Sequence, residues 1–252
     1  MLDPSHQQRA YRLRFEWGMA GAETVARDSD IAIVVDVLSF TTTLSVALDA
    51  GTVVLPYGWN DESAALYARD HDAVLAAGRT NARPGDITLS ARSIQDASLI
   101  SRLVLPSPNG SAISHHLAST ASTVLASSLR NASAVACWIN DNHDAESTTI
   151  AVIAAGEQWL GGTLRPAIED LWGAGAVLSH LHRSGWTDLS PEAEVARHSY
   201  EQAAGDILGQ LRACASGREL IGKGFPDDVV IAAELDQSRS VPILRERQFI
   251  LA

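Results

Sequence analysis

The stretch Ile31-Ala32-Ile33-Val34-Val35-Asp36-Val37-Leu38-Ser39-Phe40-Thr41-Thr42-Thr43 decides how the rest of the chain is read. Five successive apolar residues, mostly β-branched and without polar alternation, predict a short strand buried on both faces. The run stops at a carboxylate, Asp36. A helix is expected from 41 or 42 through 50, closed by Gly51. A carboxylate at the end of a buried strand, followed by hydroxyls and the free N–H groups of a helix start, has two readings. It suits Mg²⁺ and a phosphate, and it equally suits an N-cap with a Thr-rich first turn.

Working outward, short apolar runs at 53–55, 73–76, 103–105, 123–126 and 149–154 read as strands. Residues 61–70, with Asp61 as N-cap, and 111–117 and 166–181 carry helical patterns, while 132–138 fits helix or strand. Residues 11–17 alternate apolar and charged side chains, the mark of a strand with one wet face. A long helical stretch is expected over 191–214, and the runs 229–231 and 241–244 are expected to close the sheet. Strands alternating with helices predict an α/β fold, with a mixed, largely parallel sheet covered by helices on both faces. No linker, repeat or composition break divides the chain, so residues 1–252 are expected to form a single domain.

The bulk properties exclude several functions. A chain of 252 residues with 46% hydrophobic residues can bury a full core. A net charge of −11 leaves no basic stripe for nucleic acid. Lys223 is the only lysine, so an anion clamp would have to be arginine. Cys137 and Cys214 lack metal or disulfide spacing. No apolar leader or membrane-length run is present, which makes the cytoplasm the default location. P-loop, zincin, nucleophile-elbow and dinucleotide-binding signatures are all missing.

Further polar clusters fall where predicted strands end, the place where open α/β sheets bind ligands. Pro106-Ser107-Pro108-Asn109-Gly110-Ser111 could form an anion nest or a plain tight turn. In Ser128-Leu129-Arg130-Asn131, Arg130 is either a bidentate anion clamp or an exposed loop residue. Ala155-Gly156-Glu157 precedes Leu164-Arg165-Pro166-Ala167-Ile168-Glu169-Asp170-Leu171-Trp172-Gly173-Ala174-Gly175. There, adjacent Glu169 and Asp170 lie in an otherwise apolar, small-residue helix, so at least one carboxylate is expected to face a site. One helical position rotates a side chain by about 100°, so the two are not expected to point inward equally well.

Taken in order, these clusters resemble the 2-phosphosulfolactate phosphatase family, in a version similar to its bacterial branch. The resemblance runs from Asp36-Val37-Leu38-x-x-Thr41-Thr42 through Leu89-Ser90, Asn109-Gly110-Ser111, Ser128-Leu129-Arg130-Asn131 and Ala155-Gly156-Glu157. It continues with Glu169-Asp170, Ser216-Gly217-Arg218 and Gly224-Phe225-x-x-Asp228. It implies a three-layer α/β/α fold, Mg²⁺ as cofactor, and hydrolysis of 2-phosphosulfolactate to sulfolactate and phosphate, a step linked to coenzyme M biosynthesis. It carries over Asp36, Asn109, Asn131 and Asp170, with Glu169 and Asp228 behind them.

In the expected chemistry, Asp36 and either Glu169 or Asp170 are catalytic and hold Mg²⁺. Thr41, Thr42, Arg79, Asn109, Gly110, Ser111, Arg130 and Asn131 contact a small anionic phospho-acid. Attack by activated water is preferred to an aspartyl-phosphate, because no Asp-x-Asp motif is present. The chain departs from the family at Ser39, where an arginine is usual, and at Gly78-Arg79-Thr80, where Gly-Glu-Arg is usual. Its Asn-Ser-Pro is reduced to Leu89-Ser90-Ala91. Arg79, Arg92 or Arg165 would have to restore the lost positive charge. Two alternatives stay open, a different small phospho-acid as substrate and a non-catalytic anion-binding homologue, and the assembly is left between monomer and homodimer.

Overall fold

The central run does form a strand, and its alternate side chains seed two cores. In the computed structural model, which describes residues 3–58, 61–79, 82–83 and 85–252, the strands are β1 (Leu13–Trp17), β2 (Ile31–Val35), β3 (Val53–Tyr57), β4 (Val74–Leu75), β5 (Arg102–Pro106), β6 (Thr123–Ser127), β7 (Ile150–Ala154), β8 (Glu157–Gln158), β9 (Leu164–Arg165), β10 (Pro242–Arg245) and β11 (Gln248–Leu251). The helices are α1 (Gly18–Val25), α2 (Phe40–Asp49), α3 (Glu62–Asp70), α4 (Ala91–Gln95), α5 (Gly110–Leu117), α6 (Ala132–Asn142), α7 (Ile168–Arg183), α8 (Pro191–Ala203), α9 (Ile207–Ala213), α10 (Ala215–Gly222) and α11 (Pro226–Ala232). Of the residues singled out from the sequence, Thr80 lies outside those described.

Nine strands form one mixed sheet in the order β1-β7-β2-β6-β10-β11-β3-β5-β4. The four strands from β1 to β6 pair in parallel, as do β3, β5 and β4. The C-terminal hairpin β10–β11 joins these two groups by antiparallel pairings. Strand β2 has parallel neighbours on both sides, which is why its sequence is apolar throughout. Ile31, Ile33 and Val35 pack toward α6, α7 and α8, and Ala32 and Val34 pack toward α1, α2 and α5. Fully burying each of the larger side chains contributes on the order of 1.5–3 kcal/mol. Helix α3 covers Leu55 and Val104 at the far edge of the sheet. This is the expected three-layer α/β/α arrangement.

Several expectations change. The run Val229-Val230-Ile231 lies in helix α11, not in a strand. Pro226 starts that helix and Asp227 and Asp228 occupy its first turn, helix-start chemistry that overrides the β-branched composition. The 191–214 stretch breaks into α8 and α9, where the Asp206 carboxylate accepts the Gly209 N–H and begins a new helix. Strand β1 does not keep a wet face at Arg14. That side chain is buried, with its guanidinium donating to the Tyr11 and Val25 carbonyls. Residues 132–142 are helix. Strand β11 has no counterpart among the sequence expectations. Among the described residues, no helix is long and apolar enough to cross a membrane.

Candidate active site

The loops that follow β2, β5 and β7 meet at the first turn of α7, and buried carboxylates tie them together. Asp36, directly after β2, accepts the Phe40 N–H at 3.1 Å on Oδ1, and the Gly110 N–H at 3.0 Å and Ser107 Oγ at 3.4 Å on Oδ2. It therefore joins the starts of α2 and α5. Gly110 is required there, because a Cβ would come within 2.7 Å of Asp36 Oδ2 and collide with the Phe40 ring. Asp170 accepts the Val37 N–H at 2.7 Å and the Gly156 N–H at 2.9 Å, which fastens α7 to the loops after β2 and β7. Gly173, one turn on, lets α7 approach Val35 and Val37, whose methyls would lie 2.6–2.7 Å from any Cβ.

Glu169 and Asp170 are both buried, although one helical position apart they were not expected to point inward equally well. They diverge instead: Asp170 is fully engaged by backbone, while Glu169 Oε2 is buried with no partner among the described residues. The side chain of Glu169 lies by Cys214, whose thiol is pushed up to about 12 by burial and by this carboxylate. Cys214 is thereby an inert core thiol. Glu157 Oε2 accepts the Asn109 amide at 3.0 Å.

The electrostatics reflect four acids in one place. Burial raises the Asp36 carboxyl, its backbone hydrogen bonds oppose that, and Glu169 adds to it. Burial and then the charges of Asp36 and Glu169 hold Asp170 well above the usual carboxylate range. Glu157 is pushed up to about 7 by burial and by Asp36, with Asn109 and Arg165 opposing. Such a cluster disfavours full ionisation until a cation or a proton enters.

A cavity of about 530 Å³ opens beside it, with Leu38, Arg79, Pro108, Glu157, Lys223 and Phe225 in its wall. Arg79 reaches across from the loop after β4, its Nη2 donating to Ser39 Oγ at 2.6 Å, the Leu89 carbonyl at 2.8 Å and Asp228 Oδ2 at 3.1 Å. Positive charge therefore returns to position 39 from a different part of the chain. Arg165 is held by Ser216 Oγ at 3.0 Å and lies near the Trp159 ring. Arg92 pairs with Asp96 on the surface.

The structure brings Asp36, Glu169, Asp170, Asn109 and Gly110 together, with Arg79 in the adjoining wall. The hydroxyls of Thr41 and Ser111 serve the backbone, bonding the Asp36 main chain and the Leu105 carbonyl. Thr42 Oγ1 is buried without a partner among the described residues. Arg130 and Asn131 are not brought to the carboxylates. Arg130 binds Glu234, Ser45 and Asp49, and Asn131 bonds the Ser128 N–H and the Ser240 carbonyl. Glu157 joins the site although only its cluster, not its side chain, was singled out. The signal available was a carboxylate directly after a strand-ending Gly.

All the candidate cation ligands are carboxylate oxygens, the hard donors Mg²⁺ takes. The unpartnered buried oxygen of Glu169 also fits a cation ligand. No three His, Cys, Asp or Glu side chains among the described residues converge on one metal-sized point. One or two carboxylates are what Mg²⁺ uses where waters and substrate phosphate complete its shell, so the donor set fits that kind of site.

A family model described as 2-phosphosulpholactate phosphatase matches residues 21–247. A probable 2-phosphosulfolactate phosphatase of Thermus thermophilus is 33% identical over 221 residues, covering 86% of this chain and 89% of that protein. One from Deinococcus radiodurans is 30% identical over 219 residues, covering 85% and 88%. The 2-phosphosulfolactate phosphatase of Methanothermobacter thermautotrophicus is 30% identical over 218 residues, covering 86% and 88%.

Proposed function

This chain belongs to the 2-phosphosulfolactate phosphatase family, and on that premise we propose that it is a Mg²⁺-dependent phosphoric monoester hydrolase acting on a small 2-phospho acid, with 2-phosphosulfolactate as the first candidate. The observation that carries the reading is the group of four acids, Asp36, Glu157, Glu169 and Asp170, of which Glu157 lines a cavity and Glu169 has one buried oxygen unpartnered among the described residues. A cluster that disfavours its own ionisation suits a cation, and a cation suits a phosphate ester.

Glu169 and Asp36 are the residues that would hold Mg²⁺, with Asp170 beside them. When bound, the ion would offset charge on the phosphate oxygens. The protein's own contribution is positional. Asp36 fixes the starts of α2 and α5 with both carboxylate oxygens, and Asp170 fixes the loop carrying Gly156 and Glu157. Glu157 lines the cavity with a carboxyl that titrates near neutrality, the property needed to take a proton from an attacking water. Arg79 places a fixed positive charge in the lining of the same cavity.

The test is phosphate release from a panel of 2-phospho acids, with Mg²⁺ and with EDTA, beside Asp36→Asn. Metal-dependent release that the variant loses is expected. No release from any ester by folded protein would leave the site as an anion binder without turnover. Release from another phospho-acid but not from 2-phosphosulfolactate would move the substrate, a reading favoured by Ser39 and Arg79 standing where the family pattern differs.

A further inference from the structure

We propose that Asp228 is the positioning residue that holds Arg79 as the receptor for the substrate's second anionic group, the one that is not hydrolysed. In this role it makes the site select phospho-acids over phosphate esters of uncharged alcohols. The inference rests on the phosphatase reading above and adds to it a basis for specificity.

The geometry is that of a pinned guanidinium with donors to spare. All of its bonds to described residues leave from Nη2, toward Asp228, Ser39 and Leu89. Nε is buried and has no partner among the described residues. The guanidinium carbon lies over the Phe225 ring, 5.4 Å from its centroid, and Arg79 and Phe225 both line the cavity beside the carboxylates. An arginine gripped at one nitrogen and held over an aromatic face loses little freedom when it binds an anion.

Asp228 is built for this task. Its side chain is 1% exposed, against 18% for Arg79. Its other oxygen takes Ser90 Oγ at 2.6 Å and the Arg92 N–H at 3.2 Å, so α11 fixes the carboxylate and the loop around Ser90 together. It does not line the cavity that Glu157 lines. It faces an adjoining cleft of about 450 Å³, and Arg79 stands between the two. Asp228 therefore acts through Arg79. The need for such a receptor follows from charge: Glu157 in the cavity wall and the buried acids that act on it repel a carboxylate or sulfonate, so a second anionic group is accommodated only against a fixed cation.

The experiment compares kcat/KM for 2-phospholactate with that for isopropyl phosphate, which replaces the carboxylate by a methyl group, in wild type, Arg79→Ala, Asp228→Asn and the double variant. Wild type is expected to prefer the acid by about 10–100-fold, the range of a charge-assisted contact. Asp228→Asn is expected to cut that preference about tenfold, mainly through KM for the acid. In the Arg79→Ala background it should have no further effect on the preference. A purely structural role would lower both substrates equally and leave their ratio intact, which would overturn the proposal. So would an added effect of Asp228→Asn when Arg79 is absent. Calorimetric binding of lactate and sulfolactate reads the same contact without turnover: affinity that Asp228→Asn leaves unaltered would also overturn it. Should wild type hydrolyse neither ester, the panel above still decides the phosphatase reading, and the binding arm decides the role of Asp228.

Discussion

At the amino end of α2, Asp36 sits with Glu157, Glu169 and Asp170, and Arg165 opposes the rise of Glu157. At its carboxyl end, Asp49 sits with Arg130, Glu234, Ser238 and Ser240, and every charged group has an opposite partner or a hydroxyl. Both clusters are polar and rich in carboxylates. The difference is saturation. The second cluster holds Asp49 and Glu234 to a central arginine and is complete as it stands. The first leaves an oxygen of Glu169 without a partner and carboxyls raised toward neutrality. Incomplete electrostatics mark a place for a ligand, and complete electrostatics mark a fastening between α2, the loop after β6 and the segment before β10.

Glu169→Gln should break the first cluster most sharply. Its loss of Mg²⁺-dependent phosphate release should be on the order of 100-fold or more. Without metal, its melting temperature should not fall, because no hydrogen bond made by the unpartnered oxygen is removed. A well-folded variant that keeps full activity would show that Glu169 is only a buried core acid.

Arg130→Ala tests the second cluster. It should cost about 2–3 kcal/mol, below the 3–5 kcal/mol of a fully buried pair, since Asp49 and Glu234 are about one-third exposed. Thermal denaturation should register a drop of roughly 5–10 °C, while kcat/KM of the folded protein stays within about threefold. A large rise in KM with unaltered melting would return Arg130 to the substrate site.

The smallest effect sharpens the contrast by pH. The Glu157 carboxyl is at about 7 in the folded state against 4.5 for an unperturbed group. The folded protein therefore keeps this proton where the unfolded chain has released it. The contribution of this group to stability is fully present below about 4.5 and is lost as pH rises through about 7. Burial raises Asp36 and Asp170 in the same direction. In EDTA, Glu157→Gln should melt roughly 2–4 °C above wild type at pH 8.5, with the gap closing by pH 4.5. Scanning calorimetry across that range would refute the assignment if the gap were flat or reversed.

Parts of the site were legible because their signal is local. Asp36 ends an unbroken apolar strand, Asn109-Gly110 opens a helix, and Glu169-Asp170 interrupt a small-residue helix, each within a dozen residues. The partners of Arg130 were not legible: Asp49 and Glu234 lie 81 and 104 positions away, and an arginine after a strand looks the same whether it faces substrate or a salt bridge. Arg79 and Asp228, 149 positions apart, met for the same unreadable reason. Val229 to Ile231 misled because composition favoured strand while Pro226 and the acids after it favoured helix.

The sequence by itself determined the α/β alternation, the buried central strand, the carboxylates at strand ends and the family resemblance, since periodicity and ordered motifs are properties of the chain alone. Only the tertiary structure decided which charges are neutralised. Pairing depends on distance and burial in space, and those arise when segments far apart in sequence fold against the same sheet.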